Sequence, residues 1–407
     1  LMQSPSLSRV TGAILIVAGT TIGAGMLALP MTSMQIGFNN SLWLLIGLWA
    51  LMGFTALVTL EINLRLGIGK SSTGTSIASL AHNTFGPYGR LIASFSLWLL
   101  FYALLAAYIS GGSSFIKLAA DTTFNHSVPF WVMAVVFTFV LGSFINACVR
   151  MVDYVNRILF SVKIVIFIVM VVFLSPYVRL ENLTYHQGNL SALSIAAPVF
   201  FTSFGFHGSI PTLITYVGPH PRQLRWVILG GSFIPLVVYL IWQMITLGVL
   251  SPAAFSATSS PINLAMFIQN LNAATQNSWL FAATHIFTFL AITTSFLGVA
   301  IGLFDALAEA FNWPTHTQSQ RLKVSLLTFL PPLFFALFYP EGFIMALGYA
   351  AIALSILAVL MPVAIALKER PYQLTMPLYR VAGGKVALAL AFIAGVLIIA
   401  FEVMNQV

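Results

Sequence analysis

Long apolar runs recur from one end of the chain to the other, separated mostly by short polar connections. A helix needs about 20 apolar residues to cross the hydrocarbon core of a bilayer. Eleven runs qualify: 10–36, 41–66, 89–117, 128–148, 152–175, 191–217, 225–250, 279–309, 322–338, 342–367 and 383–406. They are numbered here as spans 1–11. Strands of a lipid-facing barrel alternate polar and apolar residues. These runs are continuously apolar, so they predict helices.

Two of the runs are interrupted where lipid tolerates interruption least. Span 1 carries "VAGTTIGAGMLALP", with Gly19, Thr20, Thr21, Gly23 and Gly25 at its centre. Span 6 carries "FFTSFGFHGSIP", with Thr202, Ser203, Gly205, His207, Gly208 and Ser209. Small residues alone can serve close helix packing. A matched pair says more. Breaking a helix frees N–H and C=O groups that lipid cannot satisfy, so each break must face protein or a wet cavity. The two breaks lie five spans apart. Five is odd, so the halves that carry them have opposite orientation in the membrane. Matched breaks in opposed halves point to an inverted-repeat transporter. The expected units are residues 1–175 and 176–370, followed by a last helix in 371–407.

Composition agrees and removes other classes. Residues are 59% hydrophobic and 6% charged, against about 25% charged in soluble domains. The net charge of +8 does not mark a nucleic-acid partner, because the basic residues sort by loop. With the N-terminus cytoplasmic, one side receives Arg9, Arg65, Lys70, Arg90, Arg150, Arg157, Arg222, Arg225, Arg321, Lys323, Lys368, Arg370, Arg380 and Lys385. The other side receives Lys117 and Arg179. That asymmetry is the positive-inside rule, and an odd number of spans puts the C-terminus outside. A single cysteine, Cys148, leaves no intrachain disulfide or cysteine metal cluster. The chain start has no clear cleavage signal, so span 1 is expected to be retained. The seven histidines show no metal spacing. No paired acids or His-Glu-x-x-His motif supports an intramembrane enzyme, and no cofactor is expected. A passive channel is a third class, separated by its inability to concentrate substrate. Among the longer connections, 67–88 has room for a short helix, and the charge-free stretch 251–278 is expected to pack on the protein as a lid.

The breaks suggest a ligand by elementary electrostatics. N–H groups at a half-helix start attract a carboxylate. Carbonyls at a half-helix end attract a cation. An amino acid zwitterion offers both charges. Gly23, Ala24 and Gly25 are the carboxylate candidates, with Thr20 and Thr21 adding hydroxyl contacts or capping the broken helix. Thr202 and Ser203 offer carbonyls to the amine. Phe204 and Phe206 offer rings, Phe206 being the first choice. Tyr108 borders the site more plausibly than Tyr102, which lies on another helix face. His207 is an ionisable side chain at membrane depth, which is functional by default. It can meet a substrate hydroxyl, hold the broken helix or carry a proton.

Four motifs in order, "AGTTIGAGMLALP", "FTSFGFHGSIP", "TSFLGVAIGLFD" and "FLPPLFFALFYPEGFIMALGYA", resemble the hydroxy and aromatic amino acid permease family of bacteria, closest to its tyrosine permease branch. The similarity covers essentially the whole chain. It implies membership of the amino acid/polyamine/organocation superfamily and an all-α polytopic inner-membrane protein. The implied fold is the LeuT-type 5+5 inverted repeat, with broken helices 1 and 6 and an eleventh helix. It also implies symport of L-tyrosine, with phenylalanine or tryptophan as other aromatic substrates, driven by protons. Sodium is the alternative coupling ion. In sodium-coupled members of this fold, oxygens equivalent to those of Gly19, Ile22, Ala291, Thr294 and Ser295 bind the cation. Some proton-coupled relatives instead place a span-5 lysine there, and Lys163 stands roughly 15 Å into span 5 by helix rise. Snorkelling to the membrane edge is the plainer role for such a lysine. Asp305 and Glu309, one turn apart, are candidates to pair with Arg9 as an inner gate. Glu61 and Arg65, four residues apart, are expected to form a local helix pair.

Overall fold

The computed structural model describes residues 7–66, 75–124, 127–147, 149–184, 190–250, 263–313, 315, 317–370 and 379–406, and these contain helices and no strand. Among the described residues, nine helices are long and apolar enough to cross a membrane. The 42-residue helix Gly25–Leu66 would be about 60 Å long if straight, twice the hydrocarbon thickness. It is not straight. Gly37 has φ 79° and ψ 165°, a conformation that costs glycine little and other residues much. The bend divides this element into the second half of span 1 and all of span 2. The shorter apolar helix Phe130–Ala147 corresponds to span 4. The chain is a polytopic helical membrane protein.

Both predicted interruptions are real breaks. Helix α1 (Leu7–Thr21) ends before Ile22, and α2 (Gly25–Leu66) begins after a gap of three residues. Span 6 divides into α7 (Leu190–Thr202) and α8 (Ile210–Val217), joined by irregular backbone and a single 3₁₀ turn at His207–Ser209. The remaining elements are α3 (Ile77–Phe124), α4 (Phe130–Ala147), α5 (Val149–Leu174), the short α6 (Leu180–Thr184), α9 (Pro221–Val249), α10 (Leu264–Thr275), α11 (Ser278–Ala310), α12 (Gln318–Phe338), α13 (Phe343–Ser355), α14 (Met361–Glu369) and α15 (Gly384–Gln406). Gly86, at φ 70°, sets off the start of α3 as the short helix expected in the 67–88 connection. Residues 67–74 of that connection are outside the described residues, as are 251–262 of the proposed lid. The described remainder of the lid does pack. Helix α10 buries Leu264, Phe267, Ile268 and Leu271, and Phe267 meets Trp242 of α9 edge-on.

The helices pack as two groups. In one, α9 lies against α1 and α2, and α2 against α7. In the other, α3, α4, α11 and α12 pack on one another. Helix α5 lies along α11, and α13 lies along α3 and α7. The apolar interior is likewise divided. A large core contains Ile22, Ala24, Tyr108, Phe200, Phe201, Phe204 and Tyr239. A smaller one contains Ala13, Val17, Ala56, Leu60, Phe206 and Ile210. The boundary falls at the two breaks, so each broken helix contributes one half to each core.

Glu61 needs more than the local pair expected of it. Arg65 does approach it at 3.3 Å. But the carboxylate is fully buried, and it also accepts from Arg370 Nε at 3.0 Å, Arg370 Nη2 at 2.7 Å and Val381 N at 2.8 Å. Sequence spacing revealed the partner four residues away and not the one 309 residues away.

Candidate functional site

The break in span 1 exposes backbone on purpose. The Ala24 N–H donates to Ser295 Oγ of α11 at 2.8 Å. The N–H groups of Gly23 and Gly25 have no hydrogen-bond partner among the described residues. Those are two of the three groups expected to meet a carboxylate, the third being taken by Ser295. A β-carbon on Gly23 would sit 2.7 Å from Ser295 Oγ, and one on Gly25 would sit 3.0 Å from Ser203 Oγ. Glycine at 23 therefore lets α11 come close to the break. The threonines bond back into their own helix: Thr20 Oγ1 to Ile16 O and Thr21 Oγ1 to Val17 O, each at 2.7 Å. Thr21 is buried and Thr20 exposed. Each is an i−4 back-bond within α1.

Lys163 does not snorkel. Its side chain is 1% exposed. Its Nζ donates to Ile22 O at 2.9 Å and to Thr294 Oγ1 at 3.2 Å, and lies 4.6 Å from the centre of the Phe160 ring. One amine thus joins α5, the span-1 break and α11. Two oxygens of the candidate cation set, from Ile22 and Thr294, are engaged by this nitrogen. Ser295 Oγ is engaged by Ala24 N, and Ala291 O by Thr294 Oγ1 at 3.3 Å. Gly19 lies against the Phe160 ring.

The break in span 6 is built differently. The first part of its backbone closes on itself through short-range bonds, Phe204 N to Phe201 O, Gly205 N to Thr202 O and Phe206 N to Phe204 O, while the N–H groups of His207 and Gly208 have no partner among the described residues. Thr202 Oγ1 donates to Pro198 O and to Leu347 O of α13, both at 3.0 Å. Ser203 Oγ donates to Val199 O. The two phenylalanines separate. Phe204 meets the Tyr239 ring edge-on at 5.4 Å in the large core. Phe206, the first choice from sequence, belongs to the smaller core with Val17 and Ile210. The ring-contact candidate therefore moves to Phe204. His207 Nε2 is 2.9 Å from Thr55 Oγ1 of α2, and its Nδ1 is buried without a partner among the described residues. The ring lies beside Phe206. Of the three roles open to it, holding the broken helix is the one with a visible contact.

Tyr108 is buried, close enough to the Ser295 hydroxyl to interact with it. Tyr102 turns away and donates to Leu327 O of α12 at 2.8 Å. Arg9, Asp305 and Glu309 are all exposed, and no ion pair among the described residues joins them. The proposed gate is therefore not formed in this conformation. At open helix ends a solvated pair gains little.

These placements put the two broken helices side by side. A profile of the tryptophan/tyrosine permease family matches residues 7–402. The chain belongs to that family. Its relatives include "Tyrosine-specific transport system 1" of Haemophilus influenzae, 40% identical over 96% of both chains. A second, "Tyrosine-specific transport system 2" of the same organism, is 38% identical over 98% of this chain and 97% of its own. The "Tryptophan-specific transport protein" of Pseudomonas aeruginosa is 30% identical over 97% and 94%. This permease-family chain is a transport protein and not an enzyme.

Sequence reasoning missed Tyr239. From α9 its hydroxyl lies 2.7 Å from Thr21 O and 2.9 Å from Ser203 O, between the two breaks. On the same helix Trp242 Nε1 donates to Met26 O at 3.0 Å, and Gln243 Nε2 to Ser33 Oγ at 2.5 Å. Tyr239, Trp242 and Gln243 are three and four residues apart, hence on one helix face. Three hydrogen-bonding side chains on one stripe of an apolar span were the available signal.

Proposed function

We propose that this protein is a secondary active symporter importing tyrosine, with other aromatic amino acids as lesser substrates, across the bacterial inner membrane with protons. The N-terminus is cytoplasmic and the C-terminus periplasmic. Residues 1–175 and 176–370 are the opposed repeats of a LeuT-type fold, with 371–407 adding the last helix. The breaks in matching places support this arrangement, as does the division of the helices into two packed groups, one of which can rock against the other.

The coupling reading rests on one observation. Lys163 Nζ contacts Ile22 O and Thr294 Oγ1 in the interior. An ammonium supplies the positive charge that a sodium ion would bring to those oxygens. Protonated, Lys163 holds α5, the span-1 break and α11 together. Deprotonated, it donates more weakly and the groups can separate. Loading from the more acidic side and release to the more alkaline side then gives inward proton flow. The substrate carboxylate binds the free N–H groups of Gly23 and Gly25, and its ring lies against Phe204.

The test is uptake of labelled tyrosine into proteoliposomes under an imposed pH gradient, with and without sodium, in competition with phenylalanine and tryptophan. Accumulation that follows the pH gradient and ignores sodium is expected. In Lys163→Ala, accumulation should be lost while exchange of internal for external tyrosine survives. Unchanged pH-driven accumulation by that variant puts coupling elsewhere, with His207 the next group to examine. A sodium requirement in the wild type would favour the alternative ion.

A further inference from the structure

The Tyr239 hydroxyl has one proton and stands between two acceptors. Thr21 O is the carbonyl at the end of α1, and Ser203 O lies just past the end of α7. Both are C-terminal ends of half-helices, where partial negative charge collects. A hydroxyl cannot donate fully to both at once. At any instant one carbonyl is bonded and the other faces an oxygen lone pair. The site is buried: Tyr239 is 0% exposed, and Phe204 covers one side of its ring.

We infer that Tyr239 tempers the binding of the substrate's α-amino group, holding both carbonyls in the empty carrier and giving up one of them to the amine. This rests on the reading of the breaks as an amino acid site. An ammonium has three N–H donors and no lone pair. On arrival it takes one carbonyl, and the hydroxyl keeps the other. The competition between two acceptors for one proton ends only when an amine is present. Tyr239 therefore holds the two half-helix ends together in the empty carrier, and its hydroxyl competes with the amine for the carbonyl it gives up.

The test compares tyrosine with its desamino analogue, 3-(4-hydroxyphenyl)propionate, by binding to purified protein. In Tyr239→Phe neither carbonyl has its phenolic donor, so the amine becomes more valuable. The ratio of affinities, tyrosine over the desamino acid, should rise about fivefold, the size of one net hydrogen bond. A merely packed tyrosine would change both affinities together and leave the ratio fixed. An unchanged or lower ratio overturns the inference. If Tyr239→Phe does not fold, 3-fluorotyrosine at position 239 keeps the shape and makes a stronger donor. The ratio should then fall, and a rise or no change overturns the inference equally. Failure of the wild type to bind tyrosine at all would instead remove the amino acid reading itself.

Discussion

The breaks in spans 1 and 6 hold matching positions in the chain and differ in what gathers around their backbone. The first leaves Gly23 and Gly25 N–H unbonded and brings polar groups from α5 and α11 to its edge. The second closes the N–H groups of Phe204, Gly205, Phe206 and Ser209 on its own carbonyls, leaves those of His207 and Gly208 without a partner among the described residues, and has rings beside it. A polar, open break suits the charged end of a zwitterion and the coupling group. An aromatic one suits a flat apolar side chain. The same device, a helix interrupted by glycine, supplies recognition on one side and a wall on the other. The difference comes from what neighbouring helices contribute: Lys163 and Ser295 to the first, Thr55 and Tyr239 to the second.

The sharpest way to break this contrast is to fill the open side. Gly23→Leu would drive a side chain into Ser295, whose Oγ is already 2.7 Å from where a β-carbon would be. Tyrosine binding should fall more than a hundredfold, read by binding of labelled substrate to purified protein, with a normal gel-filtration profile. Near-normal binding would mean that the open N–H groups are not the carboxylate site.

A smaller effect separates the two phenylalanines. Phe204→Ala should weaken aromatic substrates roughly tenfold, about one good aromatic contact. Phe206→Ala should leave affinity within about twofold and lower thermal stability, because Phe206 fills the smaller core. The reverse pattern in parallel binding and melting curves would return Phe206 to the site.

The smallest change expected in selectivity concerns His207. Losing its contact with Thr55 Oγ1 should cost about 1–3 kcal/mol of stability, and Thr55→Val should reproduce much of that cost. Tyrosine and phenylalanine affinities should shift together in His207→Ala. A loss confined to tyrosine would show that the imidazole meets the phenolic hydroxyl and that the second break also reads polar groups.

The architecture was legible because lipid enforces it. Uninterrupted apolar runs of spanning length predict helices, and a break in lipid has few physical excuses. The contents of the breaks were legible in part. Gly23, Ser295, Thr294 and Lys163 stand out as polar or small residues in apolar runs, and the helix face shared by Thr294 and Ser295 follows from spacing. Phe204 and Phe206 could not be ranked that way. They are two residues apart in irregular backbone, where no period tells which side each faces. Tyr239 was hidden because a tyrosine in an apolar span reads as packing until its hydroxyl is placed. Arg370 was hidden from Glu61 by chain distance alone.

That last pair bears on how the protein is made. Glu61 must enter the bilayer with span 2, five residues from its end, where a bare acid costs less than the roughly 2.5–3.5 kcal/mol of a helix centre but is still unfavourable. Its bidentate partner Arg370 is synthesised 309 residues later, roughly 15–60 s at ordinary rates of translation. Arg65 is four residues away, on the same helix face, and is available as soon as that turn forms. It can accompany the nascent acid through the translocon until Arg370 arrives. A pair that adds little to the finished carrier then matters most before the carrier exists.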